Sequence, residues 1–276
     1  MSGCWGVVVP VKRLTYAKSR LSSFGDARRE ALALAFAADV VVTATRCQDV
    51  LSVVVVTDDD IAAGLLGGLG ALVVPDGPDD GLNPALEHGA ALLRKRYDGA
   101  GVACLSADLP AARPHDLTAA LGLVGPGARG FAADAGGSGT TLLAAGPGSP
   151  LLAAFGSGSR ARHLASGAVE LDVAAGLRRD VDTPDDLTEA LRLGVGTHTA
   201  GAAAGLLQPA QQRGRQATVR DWDPLIGGTA LRDDGSSVVL PPECLRGSAF
   251  RLLRSGQRVQ LHVRDGVVMR ADLPGR

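Results

Sequence analysis

The residues of this chain best suited to chemistry are Gly139-Thr140-Thr141, then Phe155-Gly156-Ser157-Gly158-Ser159-Arg160 and Arg162-His163, and last Asp180-Val181-Asp182-Thr183-Pro184. Small residues let backbone N–H groups come close to an anion. Hydroxyls and a guanidinium complete the grip. Asp180 and Asp182 are two apart, so in extended chain both point to one side and can approach one cation. Oxygen ligands of this kind suit magnesium, which keeps several waters and uses few carboxylates. Near the N-terminus, Lys12, Arg13, Lys18 and Arg20 crowd a loop directly after an apolar run. Lys12, Lys18 and Arg20 could hold a polyphosphate there. The set describes an enzyme that handles a nucleotide and a phosphorylated acid.

These residues need a frame, and the sequence supplies one. Short apolar runs at Trp5–Val11, Leu51–Val56, Ala71–Val74, Val102–Ser106, Gly130–Ala133, Thr141–Ala144 and Val169–Leu171 read as strands. The first four are nearly continuously apolar, as in strands buried on both faces. Helical stretches alternate with them at Asp26–Arg46, Ile61–Gly67, Pro84–Tyr97 and Pro114–Leu121, and Pro150 is expected to open another short helix. Asn83-Pro84 and Thr183-Pro184 read as an N-cap followed by a first-turn proline. The alternation predicts an α/β fold: a mainly parallel sheet between two helical layers, a Rossmann-like three-layer sandwich. Residues 1–194 are expected to form this domain and 195–214, rich in Gly, Ala, Thr and Gln, a linker. Short β-like pieces with turn signals at Asp233-Asp234-Gly235 and Arg264-Asp265-Gly266 then predict a small all-β, OB-like barrel over 215–276.

Composition narrows the partners. The net charge of −1 over 276 residues gives no argument for a nucleic-acid or membrane partner. Cys4, Cys47, Cys104 and Cys244 are widely spaced, without a Cys-x-x-Cys, and read as free thiols of a cytoplasmic protein. No apolar run reaches the roughly 18 residues of a membrane span, and no secretory leader is visible.

In open α/β sheets, ligands bind beyond the carboxyl ends of the strands. Val9–Leu21 lies there, with its lysines. So does Thr57-Asp58-Asp59-Asp60, whose acids are better explained as N-terminal partners of a helix dipole. Asn83 is an N-cap by its position, which also suits contact with a base or ribose. Asp108, in Ser106-Ala107-Asp108-Leu109-Pro110, follows a buried strand and is placed to bind magnesium. Asp134 opens a glycine-rich turn. Asp186 pairs with Thr183 as a capping box. His163 lies near the acid-binding segment, but nucleotidyl transfer rests on positioning and charge neutralisation, so no general base is appointed.

The order VPVKRL…AKSRL, Gly81-Leu82-Asn83, Ser106–Pro110, Gly136–Thr141, Phe155–His163 and Asp180–Leu187 resembles the CofC/FbiD guanylyltransferases of deazaflavin coenzyme F-420 biosynthesis. The resemblance implies a nucleotide-diphospho-sugar-transferase-like architecture. It implies transfer of GMP from GTP to phosphoenolpyruvate or 2-phospho-L-lactate, with release of pyrophosphate. It further implies contact of the acid with Thr141, Gly156 and Ser159, next to Arg160 and His163, and magnesium at Asp108, Asp180 and Asp182. An enzyme of the same pathway would receive the product. Many members carry Thr-Asn where this chain has Thr140-Thr141, so a hydroxyl replaces an amide at Thr141. The glycine-rich loop of molybdenum-cofactor guanylyltransferases is absent. The alternatives are that enzyme class, a sugar-nucleotide or cytidylyl transferase, or a nucleic-acid-binding regulator.

The last segment, from Ala217-Thr218-Val219-Arg220-Asp221-Trp222 to Gln257-Arg258-Val259, resembles a cold-shock domain. Such domains stack bases on aromatic side chains. Here only Trp222 and Phe250 could serve, so a structural or interaction module is expected rather than a nucleic-acid binder.

Overall fold

The computed structural model describes residues 4–77, 81–204, 216–233, 235–246, 248, 250–264 and 267–273. The chain divides into two compact units, Met1–Ala204 and Gly205–Arg276.

The first unit is built on a seven-stranded sheet of order β3-β2-β1-β4-β6-β5-β7. Its strands are β1 (Trp5–Pro10), β2 (Val50–Val56), β3 (Leu72–Val74), β4 (Gly101–Leu105), β5 (Arg129–Ala133), β6 (Thr140–Ala145) and β7 (Val169–Glu170). All neighbours pair parallel except β6, which is antiparallel to β4 and β5. The helices are α1 (Asp26–Thr45), α2 (Asp60–Gly68), α3 (Leu82–Arg96), α4 (Pro114–Gly122), α5 (Ser159–Ala165), α6 (Ala175–Arg178), α7 (Pro184–Leu193) and α8 (Thr197–Ala203).

The valine runs explain the layering. Val7 and Val9 of β1 pack into one core with Val40 of α1, Leu66 of α2, Leu117 of α4 and Leu177 of α6. Val8, between them, packs on the other face with Leu86, Ala90 and Leu93 of α3. Each such side chain contributes about 1.5–3 kcal/mol when fully buried. A Cβ at Gly89 would stand 2.7 Å from Val8 Cγ1, so glycine is what lets α3 lie this close to β1.

Three local readings are corrected. Helix α3 starts at Leu82 with Gly81 as its N-cap, so Asn83 sits inside the first turn and caps nothing. No helix opens at Pro150: residues 151–155 run without regular structure, Leu152 has φ of 54°, and α5 begins only at Ser159. The linker expected over 195–214 begins too early. Helix α8 belongs to the first unit, because buried Asp39 of α1 accepts from the N–H groups of His198 (3.1 Å) and Thr199 (2.8 Å). The rest of that linker, 205–214, lies outside the described residues.

The second unit is an antiparallel five-stranded sheet of order β10-β9-β8-β11-β12. Its strands are β8 (Gln216–Asp223), β9 (Gly227–Arg232), β10 (Ser237–Leu240), β11 (Arg258–Arg264) and β12 (Val267–Asp272). The edge strands β10 and β12 approach each other, so the sheet curls into an OB-like barrel. Alternate residues fill it: Ala217, Val219, Ala230, Leu240, Val259 and Leu261 are buried. Gly235 turns the β9–β10 hairpin at φ +82°, while Asp234 of that signal and Asp265-Gly266 of the next lie outside the described residues. The four cysteines are free, Cys4 exposed and the others buried. Among the described residues no helix is long and apolar enough to cross a membrane.

Candidate active site

Strands β1 and β4 are neighbours and end together, at Pro10 and Leu105. The loops that follow them therefore open into one cleft of about 430 Å³, lined by Val11, Lys12, Lys18, Arg20, Ser106, Asp108 and Asp182. Lys18 is the centre of it. Its ammonium donates to Asp108 and, at 2.6 Å, to Asp182 Oδ1. Arg20 stands 3.7 Å from the other oxygen of Asp182 and is otherwise exposed. Burial works against the charge of Lys18, but the two carboxylates outweigh it and hold its pKa above the ordinary lysine value. The backbone of Lys18 is left-handed, φ 54°, which costs a non-glycine residue about 1–2 kcal/mol.

Asp182 arrives by main-chain stitching. The N–H of Val181 donates to Asp108 O at 3.0 Å, which ties the Asp180–Asp182 segment to the turn after β4. Thr183 then caps α7 in a capping box with Asp186, as the sequence indicates. Asp186 also accepts from Asp182 N at 3.3 Å.

The three acids do not stand alike. Asp180 is pushed up to about 6, first by burial and then by the negative charges of Asp108, Asp182 and Asp134. Asp108 Oδ1 is buried and takes no hydrogen bond. An orphaned carboxylate oxygen beside a crowd of like charges is a place a hard cation would relieve. Asp108 and Asp182 already share one cationic partner, the Lys18 ammonium, so this pair fits a magnesium ion that keeps its other ligands as water and phosphate. Among the described residues no three acidic, His or Cys side chains converge on one point. Asp180 is near enough to feel the charges of Asp108 and Asp182, the two carboxylates that Lys18 bridges.

The expected acid-binding segment is built differently. Thr141 is buried and its hydroxyl donates to Leu177 O at 2.6 Å. Ser159 is 1% exposed and donates to Thr140 Oγ1 at 3.0 Å. His163 is wholly buried between Phe131 and Phe155. Its Nε2 accepts from Ala154 N at 3.1 Å, which places the proton on Nδ1, 2.9 Å from Thr140 Oγ1. Burial, then the positive charges of Arg162 and Arg129, lower its pKa to about 4, so it is neutral. Arg160 is committed to Glu170 at 2.8 and 2.9 Å. The side chains of Thr141, Ser159, Arg160 and His163 are therefore each engaged by another group of the protein. What the segment exposes is the turn at Gly156 (φ +114°) and Gly158 (φ +71°), a conformation glycine adopts freely.

Other residues hold this turn in place. Arg162 donates to the carbonyls of Ala154, Phe155 and Ser157, at 2.6 to 3.3 Å. Asn83 bonds Phe155 with both ends of its amide, donating to its O at 3.2 Å and accepting from its N at 2.7 Å. Glu87, one turn further on, accepts from Ala153 N at 2.8 Å. Asp134 is the turn former expected, accepting from Ser138 N at 2.8 Å.

Two residues escaped the sequence reading. Asp59 caps α2 as expected, but its second oxygen accepts from Leu14 N at 2.9 Å and so pins the basic loop. Arg29 of α1 is buried and donates to the carbonyls of Leu14, Thr15 and Ala17. A signal was present: Arg29 sits at i of the i, i+3, i+7 stripe completed by Leu32 and Phe36, where an apolar residue belongs.

Comparison with known proteins agrees with this frame. The family described as guanylyl transferase CofC like matches residues 5–203. A phosphoenolpyruvate guanylyltransferase of Streptomyces scabiei is 58% identical over 214 residues, spanning 75% of this chain and 99% of that protein. One of Thermomonospora curvata is 55% identical over 202 residues, spanning 72% of this chain and 89% of its own length. One of Frankia casuarinae is 40% identical and spans 90% of this chain and 91% of its own. Among solved structures, a protein of Desulfovibrio desulfuricans G20 assigned to the nucleotide-diphospho-sugar transferases superposes with a TM-score of 0.53 at 16% identity, covering 74% of this chain and 96% of that one. That likeness concerns the fold.

Proposed function

The chain belongs to the CofC-like guanylyl transferase family, and on that premise we propose that it transfers GMP from GTP to phosphoenolpyruvate. It is a nucleotidyltransferase. A phosphate oxygen of the acceptor attacks the α-phosphorus of GTP, the bond to the β-phosphate oxygen breaks, and pyrophosphate leaves. The product joins two phosphates in an anhydride and passes to an enzyme of coenzyme F-420 biosynthesis. 2-Phospho-L-lactate is the competing acceptor, and the names of the relatives favour phosphoenolpyruvate.

The observation that carries the reading is Lys18 bridging Asp108 and Asp182 at the mouth of the cleft beyond β1 and β4. Asp108 and Asp182 would hold magnesium, with Asp180 nearby. The ion supplies charge neutralisation on the triphosphate. Lys12, Lys18 and Arg20 line the same cleft and steady the leaving pyrophosphate. The acid is received by the backbone of the Gly156–Gly158 turn, with Thr141, Ser159 and His163 beneath it. The buried free thiols suit a cytoplasmic setting. The OB-like unit serves as a structural or interaction module. Its aromatic candidates, Trp222 and Phe250, pack partly buried against its core rather than standing free as a stacking platform.

The test is release of pyrophosphate by the purified full chain with magnesium. GTP and phosphoenolpyruvate together should give it, and CTP with phosphoenolpyruvate should not. Equal release with CTP, or none with either acceptor, would place the chain elsewhere among nucleotidyltransferases.

A further inference from the structure

We propose that Arg29 is a positioning residue for the nucleotide, acting through Lys18. The inference rests on the reading of Lys18 given above. Arg29 lies on α1, 6% exposed and outside the lining of the cleft, and its guanidinium is bonded to the main chain of the basic loop. There Nη1 donates to Leu14 O at 3.1 Å and to Ala17 O, and Nη2 donates to Thr15 O at 3.1 Å. Asp26 and Glu30 flank it at 3.3 and 3.4 Å.

Burying a guanidinium is costly unless its donors are matched. Here they are matched by main-chain carbonyls of one loop, which that charge therefore organises. The last of these, Ala17 O, belongs to the peptide that leads into Lys18 and its left-handed backbone. Asp59 holds the same loop from the opposite side through Leu14 N. With both ends of the Leu14–Ala17 turn fixed, the Lys18 side chain has one direction to take, onto Asp108 and Asp182. Lysine could not replace Arg29, because an ammonium lacks the planar fork that spans several carbonyls at once.

A double-mutant cycle between Arg29→Lys and Lys18→Ala tests this, read as kcat/KM for GTP, KM for phosphoenolpyruvate and the affinity of a fluorescent GTP analogue. Arg29→Lys alone should lower kcat/KM for GTP and analogue affinity by about tenfold while KM for phosphoenolpyruvate stays unchanged. In the Lys18→Ala background the same substitution should have little further effect. Equal penalties in both backgrounds, or a matching rise in KM for phosphoenolpyruvate, would overturn the proposal and leave Arg29 as a fold residue. Full activity of Lys18→Ala would instead sink the reading of the cleft itself. If Arg29→Lys does not fold, Arg29→Gln, which buries no charge and keeps part of the donor set, serves in the same cycle with the same outcomes.

Discussion

The two segments expected to meet substrate are built in opposite ways. At the basic loop, side chains do the work: Lys18, Asp108 and Asp182 point at one another in an open cleft, and the backbone is held from behind. At the Gly156–Gly158 turn the polar side chains point inward. Thr140, Ser159 and His163 are bonded to one another, Thr141 donates to Leu177 O, and the main chain of Gly156 faces out. A triphosphate with a metal needs charge placed at a few points, which side chains provide. A small acid needs a shaped anion cradle, which glycine backbone provides more rigidly.

The contrast can be broken most forcefully at the charged end. Asp108→Asn and Asp182→Asn should each lower kcat by at least roughly a hundredfold at saturating magnesium, while the melting temperature moves little. Full turnover in both would remove the carboxylate pair from the reaction. Asp180→Asn should have the smaller effect, since the two carboxylates that Lys18 bridges are Asp108 and Asp182.

The backbone end is tested by where a methyl hurts. Gly156→Ala forces a side chain onto φ +114° and should raise KM for phosphoenolpyruvate by about tenfold without changing KM for GTP. Ser159→Ala removes a buried hydroxyl bond to Thr140 and should cost about 1 kcal/mol of stability, with an acceptor KM effect below about threefold. If Ser159→Ala matched Gly156→Ala in acceptor KM, the serine would touch the substrate and the contrast would collapse.

His163 sharpens it through pH. Its folded pKa of about 4 lies below its ordinary value, so the folded state binds the proton less well than the unfolded state. The stability it contributes is complete above about pH 6.5 and is lost as pH falls toward 4, at up to about 1.4 kcal/mol per pH unit. Thermal melts of the wild type and of His163→Asn should converge across that window. Parallel profiles would mean that His163 does not titrate abnormally.

The smallest effect is expected outside the site. A chain ending at Ala204 should keep kcat and both KM values within about twofold, because the relative from Streptomyces scabiei is matched over 99% of its length by 75% of this chain. Ending at Gly194 should cost stability, since it removes the α8 partner of buried Asp39. Oligonucleotide binding by the full chain should be weak and vanish at moderate salt. Tight binding that depends on Trp222 would assign the second unit a role in nucleic-acid recognition.

The sheet was legible because fully buried parallel strands must be written as apolar runs, and β1, β2 and β4 are. The place of Asp108 was legible because the carboxyl end of a buried strand is a local property, whereas the two-residue spacing paired Asp182 with Asp180 and could not show that Lys18 joins it to Asp108. The orientation of Ser159, Thr141 and Arg160 was not. Each could face ligand or protein, and the choice depends on Thr140, Leu177 and Glu170, which lie far along the chain. Asn83 was misjudged for a similar reason: its cap signal is local, whereas its partner Phe155 is not. The start of the linker was missed because α8 is held by polar contacts with distant Asp39 and Pro110 rather than by an apolar stripe.

The carbonyl grip of Arg29 has a consequence for how such a loop can change over generations. The grip reads oxygen atoms that every amino acid carries, so it places little demand on which side chain occupies Thr15. Tyr16 and Ala17 also line the cleft and carry a second demand. Main-chain shape at such a position can thus be kept from a separate helix, whatever letter the loop carries there. A library randomised at position 15 should return many working sequences, whereas one randomised at position 29 should return mostly arginine.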